Sequence, residues 1–271
     1  MMPEVWLILS LLLLGCVVGF VAGLLGVGGG GIMVPLLTSL FLLKGVSVDN
    51  VVHLALGTSM ASIIVTSISS IRAHHAKKGV LWDVAKSMAP GILLGAFSAT
   101  FIASYLNSLY LAVFFSLFMA YVSIGMFLNK APKPDRELPG SFGLFTAGSF
   151  IGAVSSLVSI GGGSLTVPYL SHHNVKMPNA IGTSAALGLP ISIAGTIGYV
   201  VNGWGRASAD SLTIGYIYLP AVVLISSVSF FMAPFGVKVA HKLPVARLKK
   251  IFGVLLVLLS VKMLTSVLKN M

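Results

Sequence analysis

Two glycine tracts, each set inside an apolar run, constrain this chain more than any other feature. The first is Gly23-Leu-Leu-Gly-Val-Gly-Gly-Gly-Gly-Ile-Met-Val-Pro35, with consecutive glycines at 28–31. The second is Ser156-Leu-Val-Ser-Ile-Gly-Gly-Gly-Ser-Leu-Thr-Val-Pro168. A shift of 133 positions maps Gly152 onto Gly19, Gly161 onto Gly28, Val167 onto Val34 and Pro168 onto Pro35. In hydrocarbon, irregular backbone is tolerated only where protein or a water-filled cavity satisfies its N–H and C=O groups. A costly break that occurs twice points to a site built from two halves.

That the surroundings are hydrocarbon follows from composition. Of 271 residues, 56% are hydrophobic and 8% charged, with mean hydropathy +1.01. A soluble domain carries about 25% charged residues. The apolar runs are long, so the expected class is an all-α integral membrane protein rather than a barrel. The net charge of +11 does not indicate a nucleic-acid partner. Lys and Arg fall in short loops between apolar runs, where the positive-inside rule places them, and no basic face with interleaved aromatics is present. Cys16 is alone in an apolar run and reads as a small hydrophobe. The start, Met1-Met-Pro-Glu4, lacks a basic region and does not read as a cleaved signal peptide.

The apolar blocks divide the chain into two similar halves. Residues 5–25 and 32–43 flank the first tract, and segments at 51–71, 84–103 and 109–128 follow. A polar stretch rich in proline and charge, 130–140, separates the halves. After it, residues 142–158 and 165–170 flank the second tract, followed by segments at 179–201, 212–232 and 248–268. The expected organisation is a first membrane repeat over 1–129, the linker 130–140 and a second repeat over 141–271. Gly57-Thr-Ser59 aligns with Gly182-Thr-Ser184, and Pro90 with Pro220. Small residues recur every four positions in both first arms: Gly15, Gly19 and Gly23 against Gly148, Gly152 and Ser156. That spacing lets helix backbones approach closely in lipid.

Charge selects between two topologies. If all eight blocks cross the membrane, the basic residues split nearly evenly. If each glycine-broken block instead enters and returns on one side, then, leaving out Lys262 within a segment, Lys and Arg at 72, 77, 78, 86, 130, 133, 136, 176, 238, 242, 247, 249 and 250 share a side, with 44, 206 and 269 opposite. The positive-inside rule favours the second arrangement. Each half is then a glycine-broken helical hairpin plus three transmembrane helices, and the odd number of crossings inverts one half relative to the other. Both termini are expected on the outer side. Inverted repeats with broken helices are the plan of many secondary transporters, which bind substrate near the midplane.

The tracts suit an anion. Each is expected to end at a helix N-terminus, with Pro35 and Pro168 in the first turn, where a missing N–H costs nothing. Free N–H groups and the positive end of the helix dipole attract negative charge, and glycine lets a ligand approach the backbone. The candidate substrate-binding residues are Gly28, Gly29, Gly30, Gly31, Gly161, Gly162, Gly163 and Ser164, with the hydroxyls of Thr58, Ser59, Thr183 and Ser184 in a supporting role. Those hydroxyls serve equally well as interhelical glue. His53 and Asn179 read as helix caps. The pairs His74-His75 and His172-His173 lack a third ligand, so no metal and no cofactor are expected. All six acids, Glu4, Asp49, Asp83, Asp135, Glu137 and Asp210, lie at segment ends or in loops. That argues against a carboxylate cation site or proton relay. There is no ATP-binding glycine-lysine loop and no Ser–His–Asp or HExxH pattern, so an enzyme is not expected.

The segment from Gly26 to Pro35, its repeat from Ile160 to Pro168, and the Gly-Thr-Ser elements resemble the sulfite exporter TauE/SafE family, also called the TSUP permeases. The resemblance covers essentially the whole chain. It implies transport of small sulfur-containing anions such as sulfite, sulfonates and organosulfonates. The second tract departs in having Ser159 and Ser164 where the first has Gly26 and Gly31. The expected function is a secondary transporter of such anions working by alternating access, with H⁺ or Na⁺ as possible coupling ions. The alternatives from other classes are an anion channel and a non-transporting membrane scaffold subunit. Which anion is carried, in which direction, and in what oligomeric state are not legible at this level.

Overall fold

A computed structural model describes residues 4–25, 28–128, 137–205, 212–240 and 245–270. Most of the expected linker (130–136), together with Gly26, Arg206, Asp210 and Lys242, lies outside the described residues. Within them the chain is all-α apart from one tiny hairpin. The helices of the first half are α1 (Glu4–Leu25), α2 (Gly30–Lys44), α3 (Val48–Ala76), α4 (Trp82–Tyr105) and α5 (Ser108–Leu128). The second half holds α6 (Ser141–Leu157), α7 (Gly163–His172), α8 (Met177–Gly203), α9 (Leu219–Ala240) and α10 (Val245–Asn270). Seven of these (α1, α3, α4, α5, α8, α9 and α10) are long and apolar enough to cross a membrane. Leu13, Tyr121, Phe142, Phe150, Phe231 and Leu258 stand exposed on the outside, as lipid contact requires. The most enclosed spans are α3 and α8, with 78% and 61% of their apolar windows buried against 33% for α5, α9 and α10.

Four-residue glycine spacing sets the closest packing. A Cβ on Gly15 would stand 2.7 Å from the Ile225 carbonyl oxygen, and one on Gly19 2.5 Å from that of Ser229. Gly23 meets Ala233 in the same way. These contacts advance together along both helices, so α1 and α9 run parallel. Gly148 and Gly152 press on Met88 and Ile92 identically, at 2.5 Å from each carbonyl oxygen, so α6 and α4 also run parallel. The first arm of each half therefore packs on the fourth helix of the other half.

The central helices cross in the opposite sense. Gly188 lies by Ser67, Gly195 by Met60, and Tyr199 by Gly57. As one number rises the other falls, so α3 and α8 are antiparallel. The last helices agree: Ser116 Oγ donates to the Ser260 carbonyl, and Ser123 Oγ to that of Gly253. The pairs α3 and α8, and α5 and α10, thus run in opposite directions, which is compatible with an inverted repeat.

Four sequence expectations need correction. Pro90 and Pro220 are not equivalent. The contacts above place Ile225 and Ser229 where the first half has Met88 and Ile92, which matches Pro90 with Ser227. The segment expected as helix from 212 starts instead with an antiparallel hairpin, Thr213–Ile214 against Ile217–Tyr218, closed by Gly215 at φ 54°. β-branched residues around a left-handed glycine favour that turn over a helix. His53 and Asn179 do not cap. Ser47 Oγ accepts from the Asp49 N–H to cap α3, His53 Nε2 lies 3.0 Å from the Ala103 carbonyl, and Lys176 is the N-cap residue of α8. Finally, α2 and α7 begin two residues earlier than expected. Pro35 and Pro168 are therefore each the sixth helical residue, past the first turn, and each leaves one preceding carbonyl without its helical partner.

Candidate functional site

The two glycine tracts meet inside the bundle. Gly29 lies against Val18, not beyond the end of α1. Gly29, and with it the start of α2, therefore lies about two turns back from the end of α1, at mid-depth. Gly162 likewise packs on Ile191, near the middle of α8. Glycine is required at these turns. Gly28, Gly29 and Gly162 have φ of 78°, 74° and 79°, a left-handed region that residues with a Cβ enter only at a cost. Ser159 is also left-handed, at φ 49°, and its hydroxyl donates to the Leu56 carbonyl at 3.2 Å.

At the meeting point a Cβ on Gly28 would stand 2.7 Å from the Gly161 Cα. Gly30 abuts the Ser159 carbonyl. Because α2 is antiparallel to α3, and α7 to the oppositely directed α8, the N-termini of α2 and α7 face each other across this contact. Neither N-cap, Gly29 or Gly162, makes a side-chain hydrogen bond. Each helix therefore presents first-turn N–H groups that its own ladder leaves unused, and two positive dipole ends converge.

Beside this contact lies a cavity of about 10 Å³, lined by Ala22, Gly28, Thr66, Ser67, Ser70, Gly161, Ala185 and Gly188. That is room for about one water molecule. The space lies toward the C-terminal end of α3, where Arg72, Lys77, Lys78, Lys86 and Lys176 gather on the α3–α4 and α7–α8 connections and the helix ends beside them.

The remaining candidate residues separate by position. Gly31 faces Leu256 and Met119, away from the cavity. Gly163 is buried in the first turn of α7, and the Ser164 hydroxyl is buried without a hydrogen-bond partner. Thr58 Oγ1 accepts from the Tyr218 N–H at 2.9 Å, and Thr183 Oγ1 accepts from the Leu81 N–H at 2.9 Å. These are equivalent bonds in the two halves, each clamping the residue before a fourth helix, so both threonines serve as interhelical glue. Ser59 and Ser184 are fully buried next to them, and the Ser59 hydroxyl is unpartnered. Sequence reasoning missed Thr66, Ser67, Ser70, Ala22, Ala185 and Gly188. The available signal was the density of hydroxyls in α3, at 58, 59, 62, 66, 67, 69 and 70, which α8 does not match.

Long apolar helices around paired broken segments define an α-helical, multi-pass membrane protein. The chain belongs to the sulfite exporter TauE/SafE family, whose profile matches residues 11–263. A relative from Haemophilus influenzae, described as "Probable membrane transporter protein", is 35% identical over 94% of this chain and 97% of its own length. A second with that description, from Methanocaldococcus jannaschii, is 27% identical over 89% of each chain. A third, from Xylella fastidiosa, is 36% identical over 63% of this chain and 65% of its own. No solved structure matches the chain. The family and these relatives are membrane transporters, not enzymes.

Proposed function

We propose that the chain is a secondary transporter of small sulfur-containing anions of the sulfite, sulfonate or organosulfonate class, working by alternating access between two inverted repeats, 1–129 and 141–271. One observation carries the reading: two uncapped helix N-termini converge at Gly28 and Gly161. Without an anion between them, the dipole ends repel and the first-turn N–H groups go unused; with one, both costs become attraction. Gly28–Gly30 on one tip and Gly161–Gly163 on the other form the backbone cradle. Thr58 and Thr183 hold the frame around it.

The cavity beside the cradle has room for about one water, so an anion enters only after the halves move apart. A closed centre favours a carrier over a channel, in which a continuous path stays open. Coupling is to H⁺, to Na⁺ or absent; Na⁺ would be held by backbone carbonyls and hydroxyls, because the acids of the spans, Glu4, Asp49 and Asp83, lie in first turns and none sits mid-span. The basic ends of α3 and α8 face the cytoplasm and both termini face outward, by the positive-inside rule.

The test is a thermal-shift and vesicle-flux screen of the purified full chain with sulfite, thiosulfate, sulfoacetate, taurine and isethionate, using simple carboxylates as controls. The reading expects saturable stabilisation and flux with at least one sulfur anion and none with carboxylates. Equal responses to carboxylates, or no flux of any anion, would sink it.

A further inference from the structure

Resting on the anion reading above, we infer that Ser67 and Ser70 of α3 form a one-sided hydroxyl shelf that donates hydrogen bonds to the oxyanion group of the substrate beside the glycine tips. Hydroxyls along α3 are mostly committed elsewhere. Ser62 Oγ donates to the Thr58 carbonyl, Thr66 Oγ1 lies within hydrogen-bond distance of the Ser62 carbonyl and Ser229 Oγ, and Ser69 Oγ donates to the Phe230 carbonyl. Ser70 differs. It lines the cavity, is only 4% exposed, and its Oγ is buried with no hydrogen-bond partner. A helical serine can ordinarily bond the carbonyl one turn back, and a buried hydroxyl left unpaired is a standing cost. That cost is recovered when an acceptor occupies the cavity.

The walls are arranged around these hydroxyls. Opposite Ser67, a Cβ on Gly188 would stand 3.1 Å from the Ser67 Oγ and 3.0 Å from the Gly161 carbonyl oxygen. Ala22, Ala185 and Gly28 complete a lining of small residues. The equivalent place in the other half is filled. Aligning Gly57 with Gly182, which meet equivalent loop carbonyls of Tyr216 and Gly79, makes Gly195 the counterpart of Ser70, Ser192 of Ser67, Met60 of Ala185 and Ile63 of Gly188. There a Cβ on Gly195 would stand 3.1–3.3 Å from the Met60 side chain, Ile63 lies against Gly28, and Ser192 Oγ donates to its own helix at the Leu189 carbonyl. The first half's α3 thus supplies the donors at one place and the apolar plug at the other, and the second half supplies the space beside the donors through Gly161, Ala185 and Gly188. The ligand class is a small oxyanion whose acceptor oxygens meet two hydroxyls and the tip N–H groups.

Binding of sulfite and isethionate to the detergent-purified full chain tests this. Ser70→Ala and Ser67→Ala should each weaken affinity roughly tenfold to a hundredfold, the range for losing a hydrogen bond to a charged group. Ligand-free Ser70→Ala should melt no lower than the parent, because an unpaired buried hydroxyl is removed. Ser69→Ala should behave oppositely, melting lower with affinity kept. Wild-type affinity in Ser70→Ala and Ser67→Ala, with the parent binding, overturns the shelf alone and leaves Ser70 holding a buried water. A parent chain that binds neither these anions nor the others of the screen overturns the anion reading, and the shelf with it.

Discussion

At the scale of single residues, the structure separates side chains that hold the bundle from those that face the cavity, and substitution should separate them too. Thr58→Val or Thr183→Val keeps the shape but strands the Tyr218 or Leu81 N–H. Each should cost about 1–3 kcal/mol, the penalty for an unsatisfied buried donor, seen as a lower melting temperature with anion affinity unchanged. Gly188→Ala should do the reverse. Its Cβ enters the cavity at 3.0–3.1 Å from Gly161 and Ser67, closer than ordinary contact, so flux should fall while the protein still inserts and purifies. Gly125→Ala is the matched control, because nothing lies within 4 Å of its Cβ position. It should leave flux intact and stabilise α5 by about 0.5–1 kcal/mol. The contrast also shows what could be read from the chain alone. The glycines at 28 and 161 were legible because backbone exposed in an apolar run needs a reason and the reason was duplicated. The division of labour among hydroxyls was not, since Thr58 and Ser70 lie on one helix and differ only in which neighbour the packing supplies.

At the scale of elements, what was legible was the length and spacing of the spans; what was hidden was which helix each would meet. The four-residue stripe on α1 and α6 announced close approach, but its partners, α9 and α4, lie in the opposite halves and are far away in sequence. The exchange makes each half depend on the other. Gly152→Leu forces a side chain against the Ile92 carbonyl, which a Cβ alone would approach to 2.5 Å. Overpacking of this kind typically costs about 1–3 kcal/mol, and a backbone neighbour has little freedom to yield. Melting temperature and yield should drop sharply, whereas Gly125→Leu on the open face of α5 should leave both near the parent value. Equal loss in the two variants would mean that the α4–α6 contact is not what sets stability. The hairpin arms lie on the legible side. The first half spends 22 residues on α1 and 15 on α2, the second 17 on α6 and 10 on α7. The shorter second hairpin was already visible in the apolar runs, 142–158 and 165–170 against 5–25 and 32–43.

At the scale of the whole molecule, the antiparallel pairing of α3 with α8 and of α5 with α10 bears on sidedness. These helix directions bring the starts of α4, α6 and α8 to one end of the bundle, together with the ends of α3, α5 and α9. Arg72, Lys77, Lys78, Lys86, Lys176 and Lys238 all fall at that end. At the other end lie the start of α1, Lys44 at the end of α2, and Lys269 at the end of α10. Charge bias and helix direction come from different physics, one from insertion and the other from packing, and they agree on which connections share a side. The orientation prediction follows. A reporter active only in the cytoplasm should be silent when fused after the last helix and active when inserted in the exposed Lys77–Lys78 turn between α3 and α4. Cysteines introduced at those two places, in a Cys16→Ala background, should label from opposite faces of intact cells with an impermeant reagent. A cytoplasmic signal from the C-terminal fusion together with an external Lys77–Lys78 turn would reverse the molecule in the membrane and place its basic end outside, against the positive-inside rule. Signals from the same side at both places would contradict the parity of the crossings, and with it the inverted relation between the halves on which a shared central site depends.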